Sequence, residues 1–235
     1  MPHHSRSSKH QHWKVVPAAF GLVVIALFGS PVLASGGPSV DLDTFVSRTY
    51  FDGVPLGEAQ SYGPEAVPRL AELLRDPSKE GSWGNIVVTL GAIGDASGAE
   101  VLLDFLKDLH GEVPVTTFRA ALLTMPALGH IARGGSPIAM AALAQYSRPD
   151  GRTQETLRFS FQRYRAGQLG EVLGRMAILG LGFIPSVEAR SVLRGIRRNP
   201  AMRTDWNDNV SEALALSVRI QKEGADRVFR MGRYQ

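Results

Sequence analysis

The sequence predicts an all-α protein, a short α-solenoid of stacked antiparallel helix pairs. Three observations predict it: apolar residues recur with the helical period, glycine and proline break the pattern at short intervals, and segments repeat along the chain. The composition permits such a fold. Of 235 residues, 44% are hydrophobic and 20% charged, which is globular and not disordered. The chain has no cysteine. That excludes disulfides, thiolate metal sites, a cysteine nucleophile and a lipid-modified cysteine.

The stripes come in order. Val67, Leu70, Ala71 and Leu74 fall at i, i+3, i+4, i+7, and Trp83, Ile86, Val87 and Leu90 repeat the spacing. Val101, Leu102, Phe105, Leu106 and Leu109 form a related set. Phe118, Ala121, Leu122 and Met125 follow, then Leu169, Val172, Leu173 and Met176, then Ala189, Val192, Leu193 and Ile196. Each set is one apolar face of an amphipathic helix. Breaks fall at Gly63-Pro64, Asp76-Pro77, Gly94-Asp95, Gly134 to Pro137, Pro149 to Gly151, Ile184-Pro185 and Asn199-Pro200. Proline at helix starts and glycine past helix ends is the expected punctuation. No strand pair is predicted. Leu157, Phe159 and Phe161 alternate briefly, but Leu157, Phe161 and Tyr164 also fit a helix.

The repeats align residue by residue. Val67 to Asp76 matches Ala99 to Asp108. Gly91-Ala92-Ile93-Gly94-Asp95 matches Gly129-His130-Ile131-Ala132-Arg133 and then Gly182-Phe183-Ile184-Pro185-Ser186. The longer last interval implies an insertion near 150–167. Glu65 to Pro77 followed by Val88 to Asp95 resembles the HEAT-like repeat of the phycobilisome-lyase type, clearest over residues 63–110. The resemblance implies stacked helix pairs with an aspartate, here Asp95, between the helices of a repeat; Arg133 and Ser186 stand there in later repeats. It implies a contact surface more than a chemistry, although a lyase-like enzyme is an alternative it raises.

Residues 1–34 read as a targeting segment. Arg6, Lys9 and Lys14 precede an apolar run from Val15 to Phe28, and Val32 and Ala34 suit signal peptidase, with cleavage between Ala34 and Ser35. The competing reading is an uncleaved anchor over 15–34. Either way the domain over 35–235 is expected to be exported, periplasmic or secreted.

Net charge is +4, but it is unevenly spread. Residues 35–112 hold 5 Lys/Arg against 13 Asp/Glu, whereas residues 113–235 hold 18 against 9. Such asymmetry can orient a protein toward an anionic surface. The insertion interleaves Arg158, Arg163 and Arg165 with Phe161 and Tyr164, and Arg190, Arg194, Arg197 and Arg198 form a second basic face. Arginine grips carboxylate or phosphate through a bidentate fork. These residues are the candidate partner site. The expected partner is a protein, with an anionic membrane or envelope polymer as the alternative; export argues against nucleic acid.

No catalytic, cofactor or metal signature is recognised. His110 and His130 are the histidines beyond the leader, and both read as structural because neither has a partner at ligand spacing. The early carboxylates, among them Asp41, Glu65, Glu72 and Asp76, read as helix-end and surface charges. The prediction is a non-enzymatic interaction module.

Overall fold

A computed structural model describes residues 38–148, 157–162, 164, 166–199 and 204–231. The expected leader, with Ala34 and Ser35, lies outside these residues, as do Arg163 and Arg165. The described chain is mostly helical. Its α-helices are α1 (Leu42–Ser47), α2 (Leu56–Ser61), α3 (Val67–Arg75), α4 (Trp83–Ile93), α5 (Ala96–Asp108), α6 (Val115–Arg133), α7 (Pro137–Tyr146), α8 (Ala166–Gly182), α9 (Val187–Arg198), α10 (Thr204–Glu223) and α11 (Ala225–Met231). Two short strands, β1 (His110–Glu112) and β2 (Arg158–Ser160), accompany them.

At α1, α5, α7 and α9 short polar side chains set the helix starts by satisfying amides that lack an intrahelical acceptor. The Asp41 carboxylate accepts from the Thr44 amide at 2.9 Å, and the Asp95 carboxylate from the Ser97 amide at 2.9 Å. Ser136 and Ser186 accept from the Ala139 and Ala189 amides at 3.3 and 3.1 Å. The repeat alignment set Arg133 opposite Asp95. Arg133 instead ends α6, and the capping role falls three residues later on Ser136. Ser186 does stand in for the aspartate, since a hydroxyl accepts the same hydrogen bond. Helix α4 stops at Gly94, whose φ of +74° is open to glycine at little cost.

Helices α3 to α10 pack as two rows. The even-numbered helices touch in chain order, α4 on α6, α6 on α8 and α8 on α10, and these are the most extensive contacts in the molecule. The odd-numbered helices α3, α5, α7 and α9 follow one another alongside, with thinner contacts, and each packs on the even helix that succeeds it. One three-residue pattern explains the tight row. In Thr89-Leu90-Gly91, Ala127-Leu128-Gly129 and Gly180-Leu181-Gly182 the leucine is wholly buried and the glycine faces the next even helix. A Cβ on Gly91 would lie 2.8 Å from the Ala127 Cα, one on Gly129 2.6 Å from the Gly180 carbonyl oxygen, and one on Gly182 3.0 Å from the Ala213 Cα. Each glycine thus meets the small residue that opens the next copy. The last copy, Ala213-Leu214-Ala215, has an exposed alanine in place of glycine and a half-buried leucine. Gly174 also marks a close approach: a Cβ there would lie 2.6 Å from the Trp206 ring.

Helices α1 and α2 cover the start of the rows. Phe45 packs against Tyr50 and Tyr62 with centroids 5.5 and 5.1 Å away. The Tyr62 hydroxyl donates to the Val40 carbonyl at 2.8 Å, and burial pushes both phenols up to about 12. Asn85 on α4 donates to the Val46 and Arg48 carbonyls at 2.9 and 2.8 Å, fixing the loop after α1. Arg69 grips Asp43 through Nε and Nη2 at 3.0 and 2.6 Å and reaches Glu72 at 2.8 Å. Glu72 therefore pairs with Arg69, while Asp76 caps the turn at Pro77–Ser82 through the Ser78 amide.

The strands correct the sequence reading. β1 pairs with β2 in parallel, matching His110 with Arg158, Gly111 with Phe159 and Glu112 with Ser160. Leu157, Phe159 and Phe161 are all buried, so the period of two was the true one and the helical alternative fails. β1 lies between α5 and α6 and β2 between α7 and α8. The ladder therefore links the segment between α5 and α6 to the segment between α7 and α8.

Candidate partner-binding cleft

Where even helices meet at glycine, odd helices stand apart. Clefts open along the odd row, among them the following three. The α3–α5 cleft, about 350 Å³, includes Leu74, Trp83 and Phe105. The α7–α9 cleft, about 510 Å³, includes Met140, Ile184 and Val192. The largest of these three, about 800 Å³, lies between α5 and α7 and ends at the β ladder.

That largest cleft has an apolar wall of Leu103, Ile138, Ala142 and Tyr146. Ile138 is 41% exposed, an uncommon place for a large aliphatic side chain at a helix start. Lys107, His110 and Arg158 line the polar side with Asp108. Lys107 is held by Asp104 at 3.0 Å, which raises its pKa through the hydrogen bond and the attraction of the carboxylate. His110 Nδ1 contacts the Asp108 carbonyl oxygen. Arg158 is exposed, makes no ion pair among the described residues and is brought opposite His110 by the strand register. An apolar wall with a cationic margin suits an extended peptide segment that carries carboxylates.

The predicted site residues separate on this framework. Arg158 reaches the cleft. Phe161 is turned inward and stacks on Phe118, centroids 4.2 Å apart and planes 10° from parallel, so its ring holds the insertion down. Tyr164 is half-buried beside Phe118, centroids 6.2 Å apart. Arg190 donates to Gln221 at 2.9 Å, which ties α9 to α10. Arg194 and Arg197 are exposed together with Arg198 on α9, without ion pairs among the described residues. The two basic groups are thus not brought together: Arg158 belongs to the α5–α7 cleft, and the α9 arginines form a separate outer face.

Sequence reasoning set His110 aside as structural and did not single out Lys107, Ile138 or Tyr146. Ser136-Pro137 marks the helix start, but it does not tell which face of the helix Ile138 takes, so no local signal singled it out. His130, by contrast, is buried. It lies between Phe183 and Phe229, centroids 5.0 and 5.2 Å away, and burial drives its pKa well below the ordinary histidine value, with nearby Arg133 adding to the effect.

Among the described residues no group of three or more His, Asp or Glu side chains is placed to hold a metal ion. No described helix is long and apolar enough to cross a membrane. Comparison with family models, with curated proteins and with solved structures finds no match.

Proposed function

We propose that this chain is an exported, non-enzymatic adaptor: a short HEAT-like α-solenoid that holds an acidic segment of a partner protein in the α5–α7 cleft. The observation that carries the reading is the composition of that cleft, an apolar wall including a part-exposed Ile138 faced by Lys107, His110 and Arg158. The order of contacts along the two helix rows supports the solenoid reading, because each pair leans chiefly on its neighbours. The open, shallow clefts support binding over catalysis. Chemistry on a small substrate calls for convergent polar groups around a water-excluding pocket.

A photo-reactive residue at Ile138 tests the proposal in the native host. It should yield discrete adducts that disappear with Arg158→Glu, while the same probe at exposed Ser211 on α10 should yield none. Equal labelling from both positions would remove the cleft from consideration. Amino-terminal sequencing of the exported chain should begin at Ser35; a chain retained whole in the membrane would replace cleavage with anchoring.

A second reading rests on Arg194, Arg197 and Arg198, exposed on one helix without carboxylate partners among the described residues. It is an adaptor at an anionic membrane or envelope polymer. Binding to anionic vesicles should then fade as salt is added, since exposed charges are screened within about 8 Å at physiological ionic strength.

A further inference from the structure

Resting on the reading of the α5–α7 cleft as a protein-binding site, we infer that its occupant is a second copy of this chain, which inserts the turn after α1 with Phe51 at the tip. Phe51 is 97% exposed, the most exposed of the large hydrophobic side chains among the described residues. It therefore occupies no pocket of its own molecule, and the fold of one chain makes no use of it.

The turn that carries Phe51 is braced from behind. Asn85 on α4 donates to the Val46 and Arg48 carbonyls at 2.9 and 2.8 Å, and the Tyr50 hydroxyl donates to the Phe45 carbonyl at 2.9 Å. Gly53, with φ of +83°, returns the chain to buried Val54. A segment fixed before docking loses less freedom when it binds, so a braced aromatic is suited to act as an anchor. Arg48 and Asp52 flank the ring in sequence; both are exposed and make no ion pair among the described residues.

The cleft offers a counterpart to each of the three. Ile138, Ala142 and Tyr146 provide an apolar wall for the ring, Arg158 a cation for Asp52, and Asp108 a carboxylate for Arg48. Its volume of about 800 Å³ admits an aromatic ring together with the turn that bears it. Charge selects this destination over a lipid surface. Residues 41–65 hold Asp41, Asp43, Asp52, Glu58 and Glu65 against Arg48 alone, so the region around Phe51 is steered toward a cationic margin and away from an anionic bilayer. The turn and the cleft belong to different parts of the molecule. The contact is therefore head to tail, and it repeats from copy to copy until a ring closes or a chain of copies extends.

Sedimentation velocity on the chain purified from its native host tests this. The average mass should rise with concentration, and Phe51→Ala should weaken the association at least about tenfold, as loss of a central aromatic anchor does. That substitution leaves the core intact, because the ring is exposed. Arg158→Glu should weaken association to a similar degree. Mixing Phe51→Ala with Arg158→Glu should restore a two-chain species and nothing larger, since the first supplies an intact cleft and the second an intact turn. The mass of a single chain at every concentration, association unchanged in Phe51→Ala, or no two-chain species in the mixture would overturn the inference. With the photo-reactive residue at Ile138, the adduct should have twice the mass of the chain and vanish when Phe51→Ala is added. Adducts of another mass that survive Phe51→Ala would overturn self-association and leave the cleft its role in binding a different protein, whereas no adduct at all would overturn both.

Discussion

The even row is built from helices of 11 to 20 residues and the odd row from helices of 9 to 13, and the two rows also meet their neighbours differently. Gly91, Gly129 and Gly182 let backbone touch backbone along the even row. Along the odd row, Leu103, Ile138 and Met140 keep neighbours apart and leave clefts. A stack tight on one side and open on the other tolerates change unequally: the closed side has no space to spare, and the open side has surface to offer.

The largest expected effect comes from forcing the closed side. Gly129→Ala would set a methyl against the Gly180 backbone, and overpacking there should cost about 2–3 kcal/mol in urea unfolding. If Gly129→Ala leaves the midpoint unchanged, the close approach is not what holds the row.

His130 on α6 supplies the next test. Burial depresses its folded pKa below the ordinary value of 6.5. The unfolded chain then binds the extra proton, so stability is full above about pH 6.5 and falls as pH drops, by at most about 1.4 kcal/mol per pH unit. His130→Leu should flatten that slope. Asp41, Asp43, Asp76 and Asp95 also have lowered pKa values, chiefly from side-chain hydrogen bonds. Their contribution is lost only below about pH 4, so the two windows can be told apart. A slope near pH 6 that persists in His130→Leu would assign it elsewhere.

On the open side, Gly195 of α9 has nothing within 4 Å of where a Cβ would stand. Gly195→Ala should stabilise by about 0.5–1 kcal/mol through helix propensity alone. The same chemical change would thus have opposite sign in the two rows. Smallest of all, exchanging Arg194, Arg197 and Arg198 for serine should move the thermal midpoint little, each within about 0.5 kcal/mol. A larger loss would mean that the outer face of α9 takes part in packing.

The helices were legible where period and punctuation agree, as in Val67 to Leu74 before Asp76-Pro77. The β ladder was not, because three alternating residues around Phe159 also fit a helical stripe. Only pairing with His110–Glu112, nearly fifty positions away, decides between them, and pairing is invisible to a local pattern. The glycines at 91, 129 and 182 aligned in the repeat, but the alignment does not reveal that each faces a small residue of another helix. The cleft was the least legible part. Lys107, His110, Ile138 and Arg158 come from separate segments, and nothing in any one of them marks the others as neighbours. The basic face of α9 was easier to see, since one helix carries all of it.

Ala215 has a consequence for assembly. It stands two places after Ala213, where earlier copies carry the bare backbone that admits a neighbour, and its methyl points into solvent. A further helix approaching α10 in the same manner would strike that methyl group. A second copy of the chain would therefore not meet α10 at the backbone-to-backbone distance that the even row keeps within one molecule, and a single carbon atom sets that difference.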